Sequence, residues 1–191
     1  MSEMLEIEYK SMLTQKEYAQ LIQHYQLKAT DFTVQTNVYF DTTDAQLAKK
    51  KCGLRIRLLE THAEYTLKSP TKKGKLETTD ILKKEEAISF IEHQKLPLDG
   101  AVFQKLAELN IQSEELHAIG ELTTKRAEFH IKEGLLAIDE SFGKQLHDFE
   151  LELEVTDPIV GKADFLAFLK SFSLPYRPAK NKIQRMIEAK D

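Results

Sequence analysis

Cysteine is nearly missing from this 191-residue chain. The single one, Cys52, has no partner for an internal disulfide, which fits a reducing compartment. No apolar stretch approaches the length of a bilayer-spanning helix. The opening MSEMLEIEYK has no basic segment leading into an apolar run, so no secretory leader is read there. Positive charge is not in excess either. With 27 Lys and Arg against 31 Asp and Glu the net charge is −4, which argues against a non-specific nucleic-acid binder. Repeats, low-complexity tracts and Pro/Gly-rich linkers are absent. The six histidines and one cysteine show no zinc-type spacing, and there is no GxxxxGK[ST] phosphate loop. These absences lead us to expect one cytoplasmic domain over residues 1–191, with one core and neither nucleic acid nor membrane as partner.

What the chain has instead is charge, 30% of its residues, laid out with period 2. In LEIEYK, Leu5, Ile7 and Tyr9 alternate with Glu6, Glu8 and Lys10, so a strand there has one apolar and one charged face. The pattern recurs. Val38 and Phe40 alternate with Asn37, Tyr39 and Asp41, and Leu54, Ile56 and Leu58 with Arg55 and Arg57. Tyr65 and Leu67 alternate with Glu64, Thr66 and Lys68, and Ala127, Phe129 and Ile131 with Arg126, Glu128, His130 and Lys132. Phe149, Leu151, Leu153 and Val155 alternate with Glu150, Glu152 and Glu154. LLAIDE is mostly apolar on both faces before Asp139, and KLETT adds one more strand, so the count approaches eight. Helical spacing marks four other segments: residues 14–27, opening on a Thr14–Glu17 capping box; 83–94; 99–110, capped by Asp99; and 161–174.

Strands of this kind can form an open sheet with its charged face in water, or a closed one with that face inside. Periodicity does not separate the two. The signs are grouped, however. Acids (Glu6, Glu8, Asp139, Glu150, Glu152, Glu154) and bases (Lys10, Arg55, Arg57, Lys68, Arg126, with Lys75, Lys180, Lys182 and Arg185) fall largely on different strands. Oxygen-only acid clusters suit hard divalent ions, and arginine and lysine suit phosphate oxygens. Together they are complementary to a metal-bound polyphosphate. A lone His130 on the charged face is more often a hydrogen-bonding bystander than a base.

The same residues carry a resemblance. EIEYK resembles the ExExK signature of the CYTH superfamily, the triphosphate tunnel metalloenzymes. It is followed in order by NVYFDTTDAQLAKKKCGLRIRL, YTLKSP with Lys68, GKLETT with Glu77, TTKRAEF with Arg126, LAIDES with Asp139, FELELEV and NKIQR. ExExK alone is a weak signal; the ordered set spans nearly the whole chain, and the TLKSP and LAIDES stretches look most like the YjbK-like bacterial branch. The resemblance implies an α+β fold, an eight-stranded antiparallel closed β-barrel with helices packed outside. It implies a triphosphatase that requires Mg2+ or Mn2+ and acts on a phosphoanhydride of a small inorganic, nucleoside or organic triphosphate. Adenylate cyclase and a non-catalytic polyphosphate or nucleotide binder are the alternatives. Carried onto this sequence, it assigns catalysis to Glu6, Glu8 and Lys10. Substrate binding falls to Lys10, Arg55, Arg57, Lys68, Arg126, Lys182 and Arg185, and metal binding to Glu6, Glu8, Asp139, Glu150, Glu152 and Glu154. The three-fold glutamate repeat leaves open which two of Glu150, Glu152 and Glu154 are ligands. Two positions depart from the family pattern: Asn181 precedes Lys182 in place of serine, and the acidic pair after Lys75 is reduced to Glu77 with Thr79.

Overall fold

The computed structural model describes residues 2–189. Among them are nine strands, all pairing antiparallel where a register is defined, and six α-helices. The strands are β1 (Ser2–Glu6), β2 (Glu8–Leu13), β3 (Phe32–Thr42), β4 (Gly53–Leu58), β5 (His62–Pro70), β6 (Lys75–Lys83), β7 (Leu116–Ile131), β8 (Gly134–Phe142) and β9 (His147–Glu154). The helices are α1 (Gln15–His24), α2 (Gln46–Lys49), α3 (Lys84–Glu92), α4 (Gly100–Glu108), α5 (Pro158–Ser171) and α6 (Lys182–Glu188). The chain divides into two compact units, residues 2–5 with Gln35–Leu122 and Glu6–Val34 with residues 123–189, so β3 and β7 each run through both.

In the first unit the strand order is β1-β6-β5-β4-β3. The alternation predicted from sequence sets its core: Val38, Phe40, Leu54, Ile56, Ala63, Tyr65 and Leu67 are buried together, with Ala87 of α3 and Val102 and Leu106 of α4 packed against them. Asp99 precedes α4 as expected, but its side chain does not cap the helix. Asp80 of β6 does that, accepting the Val102 N–H at 2.8 Å. Its carboxylate also lies where a Cβ on Gly100 would stand, 2.5 Å from Oδ2, and Gly100 has a φ of +88°. Only glycine accommodates both conditions.

In the second unit β7-β8-β9-β2 follow one another. Ile7, Leu13, Leu136, Ile138, Phe149, Leu151 and Leu153 form a buried face under α1 and α5, whose Leu21, Phe165 and Leu169 fill it. Helix α1 carries the predicted capping box, with Glu17 N–H on Thr14 Oγ1 and Thr14 N–H on Glu17 Oε2. The N-terminal strand splits at Ile7, whose carbonyl accepts the Val155 N–H at 2.8 Å. That split is why the structure has nine strands where the sequence suggests eight. It also frees Leu5 from the expected apolar face: Leu5 is exposed.

Candidate functional site

Strand β9 lies between β8 and β2, so each of its alternate residues has two cross-strand neighbours. Glu150 faces Asp139 on β8 and Met12 on β2; Glu152 faces Ala137 and Lys10; Glu154 faces Leu135 and Glu8. On the far side of β8, Arg126 of β7 faces Asp139. Because Phe149, Leu151 and Leu153 are committed to the core, the intervening acids all project to the opposite face. Carboxylate oxygens of Asp139, Glu150 and Glu152 come within 4.8 Å of one another. Asp139 and Glu150 have no exposed surface and Glu152 retains 7%.

Cations hold this triad together. Lys182 Nζ lies 2.8 Å from Asp139 Oδ2, 2.7 Å from Glu150 Oε2 and 2.6 Å from Glu152 Oε1. Arg126 forks onto Asp139, Nε to Oδ1 at 2.8 Å and an Nη to Oδ2 at 2.7 Å, and also pairs with Glu152. Lys10 Nζ bridges Glu8 at 2.8 Å and Glu152 at 3.1 Å. Arg185 donates from Nε to Asp148 Oδ2 and from an Nη to Glu150 Oε2, both at 2.8 Å. Lys182 and Arg185 stand three residues apart on α6, hence on one side of it. The chain entering α6 is fixed to β2, with the Met12 N–H on the Arg177 carbonyl at 2.8 Å and the Arg177 N–H on Ser11 Oγ at 3.0 Å.

Burial and pairing work against each other here, and pairing wins. Burial by itself would raise the Asp139 and Glu152 carboxyls. Arg126 and Lys182 at Asp139, and Lys10, Lys182 and Arg126 at Glu152, hold both below the usual carboxylate range. Burial would likewise lower Lys10 and Lys182, yet the surrounding carboxylates raise both above an ordinary lysine. The expectation of segregated charge is therefore corrected. Signs are grouped along β4 and β9, but Glu8 and Lys10 pair within β2 and the register sets Lys10 beside Glu152 and Arg126 beside Asp139, so opposite charges meet. One atom stays outside this pairing: Glu150 Oε1 is buried with no hydrogen-bond partner. Three buried carboxylates and an unsatisfied oxygen fit a hard divalent ion, whose ligands are oxygens.

Three further expected residues lie in the first unit. Lys68 faces Glu77 across β5 and β6, with Nζ 2.5 Å from Oε1, and Arg55 approaches the same oxygen at 3.7 Å. Burial would raise Glu77; Lys68 and Arg55 bring it below its usual value. Arg57 donates from Nε to Asn37 Oδ1 at 3.0 Å and lies 3.5 Å from Glu64. Arg55 Nε is buried and makes no hydrogen bond, an N–H available to an anion.

Of the remaining expected residues, Glu6 ends β1 half-buried, and Glu154 is half-buried opposite Glu8, outside the triad. Lys180 pairs with Glu188 at an exposed position, and His130 is exposed. The sequence reading missed Asp148, which anchors Arg185, and Asn37 as a partner of Arg57. Asp148 was findable, since it sits two residues before Glu150 on the same strand.

Residues 4–187 match the CYTH domain. The Bacillus subtilis (strain 168) protein YjbK, provisionally named a triphosphatase, is 38% identical over 190 residues, covering 100% of this chain and 98% of that protein. A Bacillus halodurans protein, provisionally described as an adenylate cyclase, has a crystal structure that superposes with a TM-score of 0.92 at 38% identity, over 97% and 98% of the two chains. A Hippeastrum protein, provisionally an adenylyl cyclase and described as having a dominant triphosphatase activity, shares the fold at TM-score 0.80 and 21% identity, over 98% and 97%. The fold is thus that of these relatives, antiparallel, with nine strands among the described residues. No helix among the described residues is long and apolar enough to cross a membrane.

Proposed function

The chain belongs to the CYTH family, and from that premise we propose that it is a metal-dependent triphosphatase, hydrolysing a phosphoanhydride of a small inorganic, nucleoside or organic triphosphate with Mg2+ or Mn2+. The observation that carries this reading is the buried Asp139–Glu150–Glu152 triad, surrounded by phosphate-type cations and left with one unsatisfied oxygen. Those three carboxylates hold the metal in this reading, with Glu6 and Glu8 as supporting acids and Glu154 outside. A bound divalent ion neutralises phosphate charge and lowers the pKa of a coordinated water. Lys10, Arg126 and Lys182, poised on the triad, stabilise charge spreading over the transferred phosphoryl group. Arg55, Arg57 and Lys68 bind phosphate oxygens, Arg55 through its uncommitted Nε–H. Arg185 positions Glu150 and α6. No side-chain nucleophile is required.

The test is product analysis with tripolyphosphate, ATP and thiamine triphosphate, each with Mg2+ and with Mn2+. Metal-dependent orthophosphate release, abolished by Glu152→Gln, is expected. Cyclic AMP and pyrophosphate as the main products from ATP would overturn the hydrolase reading. Turnover of none of the three substrates with either metal would overturn the enzyme.

A further inference from the structure

Lys182 stands where a metal ion would. Its ammonium has three N–H donors, and oxygens of three different carboxylates lie 2.6–2.8 Å from the nitrogen. These are the three carboxylates whose oxygens gather within 4.8 Å of one another. A magnesium ion draws its oxygens to about 2.0–2.1 Å, and no ammonium fits beside it on the same atoms. Four cations stand on these acids: Lys10, Arg126, Lys182 and Arg185.

Only one of the four is built to withdraw. Arg126 is forked onto Asp139 from the body of β7, and Lys10 sits within β2. Arg185 is tied to Asp148 as well as Glu150, and the neighbouring Met186 is buried, so α6 itself is anchored. Lys182 is the first residue of α6, follows the exposed Asn181, and reaches the triad on a flexible four-carbon stem. The unsatisfied Glu150 Oε1 offers an entering ion a first ligand while Lys182 still holds Oε2.

We infer that Lys182 is a resident counter-cation that competes with the metal. It holds Asp139, Glu150 and Glu152 together in the metal-free protein, is expelled as the ion enters, and so becomes free to bind phosphate only once the metal is in place. This rests on the reading of the triad as a metal site. It makes metal the obligatory first ligand and protects the site from phosphate alone.

The experiment measures Mn2+ binding without substrate, by the electron paramagnetic resonance signal of free Mn2+, for wild type, Lys182→Gln and Lys182→Arg. Removing the competitor should tighten Mn2+ binding at least tenfold in Lys182→Gln, whereas Lys182→Arg, which keeps the charge, should bind no more tightly than wild type. Equal or weaker binding by Lys182→Gln overturns the competition while leaving the metal site intact. Absence of Mn2+ binding in all three overturns both. A second measurement needs no neutral variant: the Lys182 ammonium, shielded by three carboxylates, should give a protected NH3+ resonance in the apo wild type, assigned by its loss in Lys182→Arg. Saturating Mg2+ should abolish that resonance; its persistence sinks the inference.

Discussion

Glu150 and Glu152 differ from Glu154 by one or two steps along the same strand, yet their surroundings differ in kind. Glu152 is contacted by Lys10, Arg126 and Lys182, and Glu150 by Lys182 and Arg185; Glu154 is half-buried across from Glu8. The sequence could name all three but not rank them, because the ranking comes from β8 and α6, which are distant along the chain. Mn2+ titration should separate them: Glu150→Gln and Glu152→Gln should each lose most affinity, and Glu154→Gln little. Equal losses in all three would mean a diffuse acidic surface rather than a triad. Removing one partner of a buried pair should also cost Glu152→Gln about 3–5 kcal/mol of stability. In the first unit the prediction concerns geometry rather than charge. Arg55→Lys keeps the cation but loses the Nε–H, and should weaken triphosphate binding by about 1–3 kcal/mol for the lost charged hydrogen bond. Unchanged affinity by calorimetry would remove Arg55 from the phosphate site.

Elements long enough to repeat their own period three times or so are legible in the sequence, and those that span two turns or fewer are not. The charged and apolar faces of β4, β5 and β9 follow from alternation alone, and α1 from its stripe and capping box. Helices α2 and α6, four and seven residues long, are too short to show a stripe, so the element that delivers Lys182 and Arg185 was invisible although both residues were expected. The helical spacing of its phenylalanines marks α5 only from Gly161. The helix in fact starts at Pro158 behind the Asp157 N-cap, whose carboxylate accepts from Ile159 and Val160. That places Gly161 in the first turn, against Val155 just beyond β9, where an added Cβ would lie 2.4 Å from Val155 Cγ2. Helix propensity alone favours alanine by about 1 kcal/mol, but the clash should win. Gly161→Ala is expected to destabilise the protein by about 1–3 kcal/mol in urea unfolding, and Val155→Ala in the same chain should recover part of the loss. A stabilised Gly161→Ala would show that the α5–Val155 contact is not tight.

For the whole molecule the buried pairs set how stability depends on pH. Asp139 and Glu152 in one unit and Glu77 in the other are each held below their ordinary values of 3.8, 4.5 and 4.5, because neighbouring lysines and arginines outweigh burial. The unfolded chain therefore binds more protons than the folded one in that range, and stability rises with pH there. The contribution is complete above the unfolded values and disappears as pH falls through the lower folded ones. Lys10 and Lys182 are raised above 10.5, so their contribution is complete below 10.5 and is lost only as pH climbs through the higher folded values. Between about pH 5 and 10 these five groups leave stability flat, and the sequence pI of 5.9 marks no maximum. The measurement is the urea midpoint of chelator-treated protein from pH 3 to 9 at fixed ionic strength, so that screening stays constant. A plateau with a steep acid limb beginning below about pH 5 is expected. Asp139→Asn should start from a lower plateau, since it strands Arg126 and Lys182, and show a shallower acid limb, since one depressed carboxyl is gone. An acid limb as steep in Asp139→Asn as in wild type would mean that acid stability is set elsewhere, and that the Arg126–Asp139–Lys182 pairing contributes little to holding the fold.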